Sequence, residues 1–252
     1  MAEVLSTRNL GGLPITSPQD TEVRINALLY GVPGSGKTTL AASASAVESM
    51  SPVLLLDVEG GTLSIRKRYP NIDVIRIRSF NDLSHVYGEL KAQGEALHYK
   101  TIILDSLTEI QKFGMYEIMR RAVAAAEEKG EVRDPDLPGI GEWGKNTEQI
   151  RKLVRAFRDL PCHTIFCALA AQEKKGRDGL RAIPQLSGKL STEIGGFMDL
   201  VFFLYLKTDN DETRRFILTQ GTEDIIAKDR SDSMPQYIES PTMQELSEIV
   251  IN

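Results

Sequence analysis

The sequence is poor in the groups that build metal centres and disulfides: its 252 residues include two cysteines and three histidines. Cys162 and Cys167 stand five apart in PCHTIFCA, a spacing that strand alternation places on opposite faces, so they are not expected to bond each other. No C-x-x-C pair occurs and His85, His98 and His163 are dispersed, which leaves little to build a zinc site from. Long apolar runs are also missing. The longest, Ile165–Ala171 and Leu200–Leu206, have seven residues each, far below the roughly 18 needed to cross a bilayer, so no membrane partner is expected. The opening MAEVLSTRNLGGLP lacks the cationic start and apolar stretch of a secretory signal, which predicts a cytoplasmic protein. Finally there is no excess of positive charge: 30 Lys+Arg against 35 Asp+Glu give a net charge of −5. Any nucleic-acid contact must then come from a local patch rather than a whole-chain field.

What is present is an ordinary globular composition, 41% hydrophobic and 26% charged, at a length that suits one domain. Residues 1–20, rich in Gly, Pro, Ser and Thr, read as an N-terminal arm. From there apolar runs alternate with helical periods. INALLYG (25–31) is a buried strand, GSGKTTLAASASAV a helix and PVLLLDVEGG a second strand. IDVIRIR (72–78), a helix over about 82–96, YKTIILD (99–105) and a helix from about Leu107 to Glu128 follow. A helix over about Lys145–Asp159 then places Ile150, Leu153, Val154 and Phe157 on one face, and HTIFCALAA (163–171) is the next strand. Strands alternating with helices in this way make a mostly parallel sheet flanked by helices. DLVFFLYL (199–206) and RRFILTQ (214–220), joined through Asp-Asn-Asp, read as an antiparallel hairpin at one edge. The domain is expected over 21–240, with a final helix over 241–252. Two segments, 130–144 and 173–188, fit neither element and read as loops.

The strongest chemical signal is GVPGSGKT, comprising Gly31, Val32, Pro33, Gly34, Ser35, Gly36, Lys37 and Thr38, followed by Thr39. It satisfies G-x-x-x-x-G-K-[ST] between a strand and a helix, the context of a P-loop. The glycines let the backbone wrap a polyphosphate so that N–H groups face its oxygens, Lys37 adds charge at the β- and γ-phosphates, and the Thr38 hydroxyl ligates Mg²⁺. ATP with Mg²⁺ is the expected cofactor, because the guanine-reading N-K-x-D is absent, the nearest string being Ala227-Lys228-Asp229-Arg230.

Asp105 ends the apolar run TIILD and is the candidate Walker B acid beside Thr38. Ser106 either joins that network or caps the next helix, since Ser106 and Glu109 also form a capping-box pattern. The hydrolytic base must come from elsewhere. Glu59, just past the strand in LLLDVEGG, is the candidate, with Asp57 competing for the role. Gln172, closing HTIFCALAA, is placed either to sense the γ-phosphate or as a solvated strand end.

In this order and spacing, GVPGSGKT, the acid of LLLDVEGG, IILDS and a strand-terminal glutamine before a basic loop resemble the RecA-like ATPase core. The chain looks most like the phage-encoded RecA-like ATPases of the Sak single-strand annealing group, also described as phage nucleotide-binding AAA-type proteins, over about 24–235. The resemblance implies ATP-dependent assembly on single-stranded DNA, with annealing or strand exchange in phage recombination inside a bacterial host's cytoplasm. It implies Glu59 as the group activating water, Gln172 as the coupling residue, and 130–144 and 173–188 as DNA-facing loops. Lys174, Lys175, Arg177 and Arg181 supply the positive patch of the second loop. Trp143, in the first, either stacks a base or anchors its loop. A homo-oligomer, ring or filament, with nucleotide between subunits is implied too, which makes Lys228 and Arg230 candidate trans-acting cations or plain edge-strand pairs. A single-stranded DNA-binding protein is a further implied partner. The chain departs from the recombinase pattern in showing no separate DNA-binding domain. The alternative reading is a P-loop ATPase acting on a protein, as loader or regulatory subunit in phage replication or packaging.

Overall fold

The computed structural model describes residues 8–17, 19, 23–175, 179–210 and 212–251. Within the arm, β1 (Arg8–Leu10) and β2 (Leu13–Ile15) form a small antiparallel sheet of their own. The remaining strands are β3 (Asn26–Gly31), β4 (Val53–Asp57), β5 (Asp73–Arg76), β6 (Thr101–Asp105), β7 (His163–Lys175), β8 (Gly179–Pro184), β9 (Leu200–Asp209), β10 (Glu212–Leu218), β11 (Lys228–Asp229) and β12 (Tyr237–Glu239). The helices are α1 (Lys37–Ala42), α2 (Phe80–Gln93), α3 (Leu107–Glu127), α4 (Ile140–Arg158), α5 (Leu190–Glu193) and α6 (Met243–Ile251).

The main sheet runs β12-β10-β9-β3-β7-β6-β4-β5. The pairs from β9 through β3, β7, β6 and β4 to β5 are parallel, and β10 and β12 add antiparallel strands at one edge. This is the expected mostly parallel α/β architecture with antiparallel edge strands. Its order matters for function: β7 lies between β3, which leads into the P-loop, and β6, which ends in Asp105.

Burial explains why the central strands read as continuous apolar runs. Leu28, Tyr30, Leu54, Leu56, Ile102, Leu104 and Phe166 pack into one core with Ile150, Val154 and Phe157 of α4. Their neighbours Ala27, Leu29, Val53, Leu55, Ile103 and Ile165 pack into the other with Leu40 of α1 and Leu246 of α6. Period-two alternation thus feeds two cores, one on each face. Cys162 and Cys167 fall in different cores and are free thiols, as their spacing predicts.

Four local expectations are corrected. The helix after the P-loop is only six residues, tightening to a 3-10 turn over Ser43–Ala46. There Ser43 and Ser45 hydroxyls donate to the Leu40 and Ala42 carbonyls and compete with helical bonding. Segment 130–144 is not loop throughout, because α4 begins at Ile140: the Glu142 carboxylate turns back to accept the Gly139 N–H at 3.0 Å and is held by Arg133 at 2.9 Å. Trp143 therefore stands on the first turn of a helix. Segment 173–188 is not loop throughout either, since 173–175 and 179–184 are strand. β7 continues past Ala171 to Lys175, and β8 folds back antiparallel on it, pairing Gln172 with Ala182, Glu173 with Arg181 and Lys174 with Leu180. A ribbon with polar residues on both faces carries no hydrophobic period to announce it. Gln172 consequently sits inside a strand rather than at its end.

The ribbon is fastened to the core at its base. The buried Tyr30 hydroxyl donates to the Ile226 carbonyl at 2.6 Å and the Ala182 carbonyl at 3.2 Å. On α3, Thr108 accepts the Leu169 N–H at 3.0 Å, and Gln111 accepts the Ser187 N–H at 2.8 Å.

Candidate functional site

The P-loop crosses from β3 to α1 at the carboxyl end of the sheet. Its entry needs glycine on steric grounds. A Cβ on Gly31 would come within 2.4 Å of the Leu204 carbonyl oxygen. Gly36 needs it on conformational grounds, with φ at 100°. Val32, Pro33 and Gly34 form the exposed crest, while Ser35 and Lys37 are buried beneath it. The Lys37 ammonium donates to the Gly31 and Val32 carbonyls, each at 3.1 Å, which curls the loop around its own lysine. The Ser35 hydroxyl is buried with no hydrogen-bond partner, a polar group left over inside a loop of this shape.

Thr38 and Asp105 meet as the sequence requires: the threonine hydroxyl donates to the Asp105 carboxylate at 2.5 Å. Asp105 is buried at the tip of β6, and desolvation, with Glu59 and Asp57 adding repulsion, raises its carboxyl to about 6. The Thr38 hydroxyl and the Asp105 carboxylate are hard oxygen donors of the kind that would hold Mg²⁺. No cluster of three or more His, Cys, Asp or Glu that could hold a metal by itself occurs among the described residues.

The loop after β4 brings Glu59 into the same place. Its carboxylate accepts the hydroxyl hydrogen bond of Ser106, which makes no capping bond to α3. Ser106 thereby belongs to the acidic network rather than to the helix terminus. Asp57, the competing acid, has hydrogen-bond partners on both of its oxygens. Oδ1 accepts the N–H groups of Gly60 at 2.7 Å and Gly61 at 3.2 Å, and Oδ2 takes Arg76 at 2.9 Å. A Cβ on Gly61 would stand 3.9 Å from the Thr38 hydroxyl oxygen, so this turn lies against the start of α1.

Beside the P-loop a cavity of about 440 Å³ opens between α1 and the β10 edge, lined by Gly36, Thr39, Ser43, Tyr69 and Arg215 among others. Arg215 presses on the loop, its Cδ 3.0 Å from where a Gly36 Cβ would stand. Sequence reasoning missed Arg215 and Arg76. Neither belongs to a local motif, and only strand pairing carries them to the site.

Residues 24–231 match the profile of a family described as an AAA domain, AAA_24. The chain belongs to that family. Among solved structures, this AAA domain is similar to a KaiC-like protein from the hyperthermophilic archaeon Pyrococcus horikoshii OT3, with 18% identity, 86% of this chain and 89% of that one covered, and a TM-score of 0.42. No curated protein sequence matches it. No helix among the described residues of the AAA domain is long and apolar enough to cross a membrane.

The other predicted residues lie away from the phosphate loop. Gln172 is three residues beyond Leu169, the partner of Gly31, and is exposed on the ribbon. Lys174 is exposed and Arg181 half-buried, while Arg177 and the side chain of Lys175 lie outside the described residues. Lys228 and Arg230 sit at the opposite end of the sheet from the P-loop, since β11 pairs with Val201 and Leu200 while Gly31 pairs with Leu204. Lys228 donates to the Gly195 and Met198 carbonyls at 3.0 and 2.7 Å, and Arg230 pairs with Asp199 at 2.5 Å.

The raised carboxyl of Asp105 has a measurable sign. A carboxyl at about 6 when folded, against 3.8 otherwise, withdraws stability as pH rises through that window. Asp105→Asn should stabilise the nucleotide-free protein at pH 8 by on the order of 1–3 kcal/mol, read as a higher melting temperature, and much less at pH 4. The same variant should lose the Mg²⁺ dependence of nucleotide binding, which titration calorimetry checks.

Proposed function

We propose that the protein hydrolyses ATP with Mg²⁺ and couples turnover to single-stranded DNA held by the β7–β8 ribbon, promoting annealing or strand exchange. The observation that carries the hydrolytic part is the meeting of Lys37, Thr38, Asp105 and Glu59 at one end of the sheet. Loop N–H groups and Lys37 hold the phosphates, and Thr38 and Asp105 hold the metal. Bound there, Mg²⁺ supplies Lewis-acid stabilisation of charge on the phosphates. The 440 Å³ cavity beside Gly36 and Thr39 is of a size to take the nucleoside. Glu59, released from Ser106, accepts the proton of the attacking water.

The DNA part is supported by position and charge. Lys174 and Arg181 stand on the β7–β8 ribbon, an extension of the strand between β3 and β6, and the sequence adds Lys175 and Arg177 to the same stretch. Phosphate backbones are held by such patches without sequence preference. Nucleotide between subunits of a homo-oligomer, with Lys228 or Arg230 reaching across, belongs to the same proposal. A protein-directed ATPase is the second reading, favoured by exposed apolar side chains at Val132, Leu137 and Ile140, on and just before α4.

ATPase rate measured with and without a single-stranded oligonucleotide separates the two. Stimulation supports the DNA reading; neither stimulation nor binding supports the second. Replacing Lys174, Lys175 and Arg177 by glutamate should weaken oligonucleotide affinity and flatten its salt dependence, by roughly 0.7 in log–log slope for each phosphate no longer neutralised. ATP affinity without DNA should not change.

A further inference from the structure

Glu59 stands on a turn with few means of holding itself in place. It precedes Gly60, whose φ of 84° only glycine adopts readily, and Glu59 and Gly60 are both solvent-exposed. What fixes the turn is Asp57, whose Oδ1 gathers the Gly60 and Gly61 N–H groups. Asp57 in turn is fixed by a residue from the neighbouring strand. Arg76, the last residue of β5 and the register partner of Asp57, donates to its other oxygen at 2.9 Å. The guanidinium also lies against the turn itself, since a Cβ on Gly60 would come 2.8 Å from Nη1. The Asp57 side chain is 6% exposed and that of Arg76 43%, so the guanidinium covers the outer side of a buried carboxylate.

We infer that Arg76 is a positioning residue for ATP hydrolysis: by clamping Asp57 and covering Gly60 it holds the turn that aims Glu59. It touches neither the P-loop lysine nor the metal ligands and acts through the base alone. The inference rests on the ATPase reading above. Its chemistry is geometric. A buried carboxylate with two N–H donors and one charged donor is a rigid anchor, and a bidentate-capable guanidinium across the strand pair keeps that anchor in one orientation.

The test is single-turnover ATP hydrolysis on the full chain, with nucleotide affinity measured separately by a fluorescent ATP analogue. Arg76→Ala should lower the hydrolysis rate about 10- to 100-fold while leaving nucleotide affinity within about threefold, the signature of a misplaced base rather than a lost ligand. Gly60→Ala, whose methyl needs the place of the guanidinium, should reproduce the loss, and Arg76→Lys should restore part of it. The decisive arm is the double variant with Glu59→Gln. If Arg76 acts through Glu59, adding Arg76→Ala to Glu59→Gln slows hydrolysis no further. Full additivity would overturn the inference, as would an Arg76→Ala protein with wild-type turnover, or one whose rate loss disappears at a temperature where it is fully folded. Wild-type protein that turns over ATP with these outcomes removes this inference alone; wild-type protein without turnover removes the ATPase reading with it.

Discussion

Lys37→Ala is expected to abolish ATP turnover and to weaken nucleotide binding at least 100-fold, the largest effect of any single change in the chain. The reason is the dual place of the ammonium. It satisfies the Gly31 and Val32 carbonyls from inside the loop, and in the proposed reaction it supplies positive charge at the transferred phosphoryl group. Alanine removes both, leaving two carbonyls turned inward against the phosphate. Titration calorimetry with ATP and Mg²⁺ checks the binding loss. Wild-type affinity in the variant would remove the P-loop from its role, because no other buried cation lies in the loop.

Glu59→Gln should behave in the opposite way, keeping ATP affinity near wild type and slowing hydrolysis by about 10²- to 10⁴-fold. Glutamine still accepts the Ser106 hydroxyl hydrogen bond, so the turn keeps its shape while the group can no longer take a proton. The readout is phosphate release under single-turnover conditions with stoichiometric bound ATP. A variant that hydrolyses at the wild-type rate would remove Glu59 from the role of base.

The parts of this site legible in the sequence are those whose physics is local. GVPGSGKT specifies a backbone curve through glycine conformations and a lysine placement within eight residues, and TIILD specifies a buried strand with an acid at its tip. The partners of Asp57 could not be read from sequence, because they are the N–H donors of the following turn and an arginine 19 residues away. Ser106 is ambiguous in sequence for the same reason, its partner lying on another strand's loop. The start of α4 and the β7–β8 ribbon are hidden in segments whose glycines and charges imitate loops. In the first, Glu142 supplies the cap that glycine lacks. In the second, cross-strand pairs such as Glu173 with Arg181 take the place of an apolar face. The two-core division is legible in outline, since strands apolar at every position have to be covered on both sides.

The phenol at position 30 gives its one proton to two backbone oxygens, from segments 152 and 196 residues further along the chain. It precedes the first glycine of the phosphate loop by a single residue. One hydroxyl thus ties the base of the β7–β8 ribbon, and the segment just before β11, to the strand that runs into the P-loop.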